Sequence, residues 1–196
     1  MSRGPSKKFE PEVVLQKAME VFWERGYEAA SLAELLKNMG ISRKSMYDTF
    51  GNKQSLFLKA LEHYSQTELR AIREQLLAPG SIMSNIEQLL YRWQQAHGKL
   101  NSKGCLLGTS TANFKTSDVE IAPILRSYFI RLENIYYEAI AKAQAAGELN
   151  PKANPRDLAR LLLCTTQGMA LVGRVLDSET ILQSVVSTTI KALKQA

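Results

Sequence analysis

Apolar residues recur along this chain at the spacing of helices. Pro11 suits a first helical turn, and Val14, Ala18, Val21 and Phe22 follow on one face, with Gly26 where a stop is expected. Ser31 followed by Glu34 forms a capping-box pattern ahead of Leu32, Leu35, Leu36 and Met39, the stripe of a short second helix ending at Gly40. Ser42 caps a third short helix carrying Met46 and Phe50 on one side, stopped at Gly51.

Longer periods follow. A helix is predicted from about Lys53 towards Ala78, broken at Pro79-Gly80, and another from Ser81 to Leu100. After the polar connector Asn101-Ser102-Lys103-Gly104, a shorter helix is expected from Cys105 to about Phe114, and a long one from Glu120 to Ala146 before Gly147. Asn154-Pro155 opens a helix towards Leu176, and Ser178 caps the last, which runs through Lys194. Sustained apolar/polar alternation is missing, and so are Asn-Gly and Asp-Gly hairpin signals. The expectation is an all-α chain: a three-helix unit in front, boundary at 52/53, and a larger helical bundle over 53–196.

Composition narrows the classes. The 196 residues are 45% hydrophobic and 22% charged, the balance of a globular protein. No apolar run reaches the ~20 residues of a membrane span, and charges in Met1 to Glu10 occupy the place of a signal peptide's apolar core, so a cytoplasmic protein without a membrane partner is expected. Two cysteines, Cys105 and Cys164, do not make a disulfide framework. The net charge of +6 is uneven: +3 over residues 1–8, −4 over 9–36, +3 over 37–53 and +4 over the rest. Two basic clusters thus flank an acidic helix, and such clusters can meet an anionic polymer, although surface patches of this kind also occur without one.

Two helices joined by Gly40-Ile41-Ser42 fit helix-turn-helix geometry. Gly40 supplies the turn, Ile41 plugs its corner, and Met46 and Phe50 seat the second helix. Arg43, Lys44, Tyr47 and Asp48 then fall on other faces. An apolar seat behind cations and hydrogen-bonding tips suits a helix in the major groove; a merely solvated face of a three-helix cap is the alternative.

The stretch Val13 to Phe57 resembles the N-terminal domain of the tetracycline-repressor (TetR) family of bacterial regulators. The resemblance rests on Ala18 through Tyr27, on Ser31 through Leu36, on Gly40 through Phe50, and on Asn52-Lys53 with Leu56-Phe57. One departure is Leu36, where many members carry Ala. The resemblance implies a repressor that binds double-stranded operator DNA, palindromic, as a homodimer and is released by a small-molecule effector. It implies base-edge and phosphate contacts from Ser42, Arg43, Lys44 and Ser45, a backbone and thymine contact from Tyr47, and a phosphate contact from Lys53. Ser31 caps its helix and either reaches a phosphate as well or serves as a cap alone. Arg3, Lys7 and Lys8 form either a minor-groove arm or a solubilising tail. The long fourth helix is the expected mechanical link between effector and reading head.

In the second half, Gly104-Cys105-Leu106-Leu107 resembles the Gly-Cys-Leu-Leu motif of a TetR-family branch that includes the N-ethylmaleimide-reductase repressor, in which a cysteine senses electrophiles and oxidants. Cys105 at a helix start beside Lys103 fits a thiolate, and packing as a small hydrophobe fits it too. Cys164, among leucines, reads as inert core. Trp93, Tyr128, Phe129, Tyr136 and Met83 are candidates either for an effector cavity or for ordinary core. His63 and His97 are isolated, no residue set has metal-ligand spacing, and no catalytic signature stands out, so no metal, no cofactor and no enzyme activity are expected. Small and apolar residues of the last two helices, Ala159, Leu162, Leu163, Thr166, Ala170 and Leu171 with Ile181, Val185, Val186, Thr189 and Ile190, suit a monomer core and a two-fold four-helix interface alike. A helical small-molecule binder with a vestigial N-terminal domain is the competing reading.

Overall fold

The computed structural model describes residues 9–99, 102–115, 118–176 and 179–196. The expectations for Arg3, Lys7 and Lys8, for the helix end at Leu100, for Asn101 in the connector and for the Ser178 cap lie outside these residues. Among the described residues every regular element is helical: α1 Pro11–Ala29, α2 Leu32–Met39, α3 Arg43–Phe50, α4 Lys53–Leu76, α5 Ile82–His97, α6 Leu106–Ser110, α7 Ile121–Ala145, α8 Pro155–Val172 and α9 Glu179–Gln195.

The chain divides into two compact units, one ending at Ser65 and one beginning at Gln66. The division falls inside α4, beyond the boundary at 52 that the turn residues suggested. The reason is packing: Leu56, Phe57, Ala60 and Leu61 are fully buried alongside Val14, Ala18, Phe22, Leu35, Met39, Met46 and Phe50. Phe57 lies edge-on to Phe22 with centroids 4.9 Å apart, and Tyr27 tilts onto Phe57 at 4.9 Å. Burying side chains of this size stabilises by about 1.5–3 kcal/mol each. Without the start of α4 three short helices would leave much of this surface wet.

Local signals set the element ends. Gly26 adopts φ 77°, ψ 170° and interrupts α1, so that the last turn to Ala29 is a separate piece. Gly40 ends α2 in the left-handed region at φ 70°, a conformation glycine takes at no steric cost. Ser31, Ser42 and Ser81 each accept a hydrogen bond from the backbone N–H three residues on.

The second unit is built around α7 and α8, with α5 and α9 against them. Its centre holds Ile86, Leu90, Leu107, Tyr128, Leu132, Tyr136, Ala139, Ile140, Leu162 and Val186, all fully buried. The expected helix from Cys105 to Phe114 shortens to α6, because Thr109, Ser110 and Thr111 turn their hydroxyls onto backbone carbonyls of the same turn. The helix expected to reach Leu176 ends at Val172, just before Gly173.

Candidate nucleic-acid interface and effector cavity

In the first unit α3 has two faces. Met46 is wholly buried and Phe50 is 4% exposed, fixing the helix to the core. Ser42 caps it: its Oγ accepts from Ser45 N–H at 3.1 Å and donates to Ser45 Oγ at 3.0 Å. The first two helical residues, Arg43 and Lys44, are exposed, and no acidic residue stands in that first turn. A helix N-terminus carries unpaired N–H groups and partial positive charge. Two cations there repel the helix end by ~0.3–1 kcal/mol each, a cost that an external anion converts into attraction. Tyr47 is 44% exposed, and the Arg43 guanidinium lies 6.0 Å from its ring centroid. Arg43, Lys44 and Tyr47 are therefore brought onto one solvent face.

The remaining candidates are placed differently. Ser31 is exposed, and its Oγ caps α2 by accepting from Glu34 N–H at 3.2 Å. Lys53 is half-buried at the start of α4, with Nζ 4.6 Å from the Tyr27 ring centroid and donating to the Glu28 carbonyl at 3.4 Å. Its cation is already held by its own chain. Ile41 is only partly buried.

In the second unit a cavity of about 380 Å³ opens between α6, α7 and α8, and its wall includes Cys105, Gly108, Ala112, Phe129, Gln167 and Leu171. Cys105 is 2% exposed. As the N-cap of α6 it accepts from Gly108 N–H at Sγ, 3.3 Å away, and the Tyr128 hydroxyl lies 3.6 Å from the same sulfur. Tyr128 is fully buried and edge-on to Phe129, with centroids 5.3 Å apart, so it backs the wall that Phe129 lines.

Cys164 departs from its expectation, and Trp93 and the faces of the last two helices, each left with two readings, fall as follows. Trp93 is absent from the cavity wall among the described residues; it is buried with its ring 5.0 Å from that of His97. Cys164 is not core: it is exposed and lines the same cavity as Cys105. On α8 the core face runs through Leu158, Leu162, Thr166 and Met169, and two residues of helix turn Cys164 about 200° from Leu162. The suggested pairing faces also split, since Ala159, Leu162, Thr166, Ala170, Val186 and Thr189 are buried within the chain while Leu171 and Ile181 remain exposed.

Two polar residues escaped notice in the sequence. Glu148 caps α5 from a distance: its carboxylate accepts from Met83 N–H at 2.7 Å, Ile82 N–H at 3.2 Å and Ser81 hydroxyl at 2.8 Å. These bonds, led by that from Met83, hold its pKa below the usual carboxylate value. Gln167 lines the cavity, and the signal for it was a lone amide in the small and apolar run of α8. His97 is pushed down to about 4 by burial, and its Nδ1 lies 2.9 Å from Ser102 Oγ. Burial raises the Tyr136 phenol, which donates to Thr166 Oγ1 at 3.1 Å. Among the described residues no group of three His, Cys, Asp or Glu side chains could hold a metal ion, and no helix is long and apolar enough to cross a membrane.

Known proteins carry the same arrangement. Residues 14–60 match the family described as "Bacterial regulatory proteins, tetR family", and residues 83–189 match "Tetracyclin repressor-like, C-terminal domain". The HTH-type transcriptional regulator YezE of Bacillus subtilis is 33% identical over 97% of this chain and 99% of its own. The HTH-type transcriptional repressor ComR of Escherichia coli is 30% identical over 97% and 91%. A solved cysteine mutant of the TetR family regulator CifR, complexed with 26bp double-strand operator DNA, superposes with TM-score 0.83 at 27% identity, covering 96% of this chain and 99% of that one. The chain belongs to the TetR family of bacterial regulatory proteins, and is a DNA-binding transcription regulator rather than an enzyme.

Proposed function

We propose that this chain is a cytoplasmic repressor that binds a palindromic operator as a homodimer and leaves it when a small effector fills the cavity between α6, α7 and α8. The unit ending at Ser65 reads DNA, and the unit beginning at Gln66 carries effector binding and dimerisation. The observation that carries this reading is the pair Arg43 and Lys44, exposed at the capped end of a helix whose back is wholly buried. On a duplex, Arg43 reads a base edge, while Ser42, Lys44, Ser45 and Lys53 meet phosphates, with Ser31 beside them and Tyr47 against the backbone and thymine methyls. Binding by Lys53 requires its ammonium to leave the Glu28 carbonyl. The repressor name of ComR and the operator complex of CifR support the same direction.

Dimerisation uses apolar side chains left exposed at the end of α8 and the start of α9: Leu171, Val172, Val175, Leu176 and Ile181. Their exposure in a single chain supports a covering partner. Gel shift and footprinting with the DNA upstream of its own gene test the whole proposal. Protection of one site in the nanomolar range is expected; binding indifferent to sequence would overturn it.

Electrophile sensing at Cys105, as in the Gly-Cys-Leu-Leu branch, is the finer form of this proposal. A reagent reaches the buried sulfur through the cavity that Cys105 lines. N-ethylmaleimide then releases operator from wild type but not from Cys105→Ser, and release from both would end the sensing role.

A further inference from the structure

The cavity wall contains an amide with nothing to bind. Both polar atoms of the Gln167 side chain, Oε1 and Nε2, are cut off from solvent and make no hydrogen bond. Buried polar groups are nearly always paired, because an unpaired one forfeits its hydration without return. The hydroxyl protons of the wall are already engaged. Thr109 Oγ1 donates to the carbonyls of Cys105 and Leu106, Thr111 Oγ1 donates to the Gly108 carbonyl, and Cys105 Sγ accepts from Gly108 N–H.

The place of the amide is set by a missing side chain. A Cβ at Gly108 would stand 2.6 Å from Gln167 Oε1 and 3.3 Å from Cys105 Cβ, so the amide lies across the bare backbone of α6. The rest of the wall is apolar or small, including Ala112, Phe129, Ala170 and Leu171, and contains no charged residue. A carboxylate or ammonium ligand would therefore lose its hydration with no counter-charge to meet. At ~30 Å³ for each water of liquid, the cavity of about 380 Å³ takes a molecule of one or two rings.

We infer that this cavity selects an uncharged, mostly apolar molecule bearing a neighbouring N–H donor and carbonyl acceptor, a lactam or amide, paired in both directions by the side-chain amide of Gln167. The side chain turns from the α6 backbone into the cavity, where the ligand N–H donates to Oε1 and Nε2 donates to the ligand carbonyl. The inference rests on the reading of this cavity as the effector site, and names the chemistry of its occupant.

Calorimetry on the full chain tests it with three compounds of one shape: the bicyclic lactam dihydrocarbostyril, the hydrocarbon tetralin and the anion naphthoate. The lactam is expected to bind at least about tenfold more tightly than either of the others. Gln167→Leu, which keeps the volume and removes the amide, brings the lactam and tetralin to nearly equal affinity. Gly108→Ala does the same by pushing Oε1 aside while Gln167 remains. Both variants should fold, since one deletes an unpaired buried amide and the other adds a helix-favouring residue. Equal affinities on wild type, a preference that survives Gln167→Leu, or no lactam binding up to its solubility limit each overturns the inference. A gel shift separates the two readings. A lactam bound with the expected selectivity that leaves the operator complex intact preserves the inference and sinks effector release; loss of selectivity sinks the inference and leaves operator binding standing.

Discussion

Helix α3 and the cavity both present polar groups on an apolar scaffold, and they do so by opposite means. On α3 the polar groups face water and the scaffold lies behind them, within eight residues of sequence. In the cavity the polar group faces inward, and its scaffold comes from α6, α7 and α8, more than fifty residues apart along the chain. A surface reader needs cations whose hydration is given up only on meeting a polyanion. A buried reader needs one amide and no charge, because there the surroundings multiply any electrostatic error.

The largest test of this contrast removes the scaffold of one region alone. Phe50→Ala should destabilise the N-terminal unit by about 3–5 kcal/mol, the usual cost of emptying a buried phenylalanine site. Hydrogen exchange should show lost protection in α2 and α3, with operator binding gone and lactam binding by the second unit retained. Loss of both functions together would show that the two regions are not separable. Arg43→Ala comes next. It should weaken operator binding by about 1–3 kcal/mol and relax preference at one base position, whereas Lys44→Ala should weaken all sequences alike and lower the salt slope by about one. Equal losses from Arg43→Ala on operator and random DNA would exclude base reading there.

The same contrast explains what was legible in the sequence. Ser31, Gly40, Ser42 and Gly51 mark their elements by local chemistry, so the bounds of α2 and α3 follow from residue types alone. Met46 and Phe50 announce the buried side of α3 by spacing. The cavity is not local. Trp93 and Phe129 are both aromatics on apolar faces, and only the packing of three helices decides that Phe129 lines the space while Trp93 packs on His97. Cys164 looked like core because leucines surround it in sequence, yet helical rotation turns it outward. Lys53 was legible as a cation, but its contacts with Tyr27 and Glu28 come from tertiary structure.

Burial of a titratable group separates the regions further. His97, pushed down to about 4 by desolvation, is neutral in the folded second unit at pH values where the unfolded chain, near 6.5, binds a proton. Its contribution is complete above about pH 6.5 and is lost as pH falls towards 4, on the order of 3 kcal/mol. Urea midpoints measured between these limits should therefore fall more steeply for wild type than for His97→Phe. Parallel slopes would show that other groups govern the acid sensitivity of this unit.

The smallest effect concerns a helix end that resembles α3 in everything but its partner. The N-terminus of α5 also has a serine cap, but it receives Glu148, whose carboxylate accepts from two backbone N–H groups and from Ser81. An anion thus already occupies the position that α3 leaves open beside Arg43 and Lys44. Glu148→Ala should cost about 1 kcal/mol, the typical worth of a cap, and Glu148→Gln should recover part of it, since an amide oxygen accepts but brings no charge to the helix dipole. The carboxylate pKa lies below its ordinary value, so this stabilisation is present above the unfolded pKa and is lost as acid protonates the folded group. Unfolding midpoints of the three proteins at neutral and acidic pH should converge in acid. A Glu148→Ala loss that persists unchanged at low pH would mean that the side chain acts by packing, and the parallel between the two helix ends would fail.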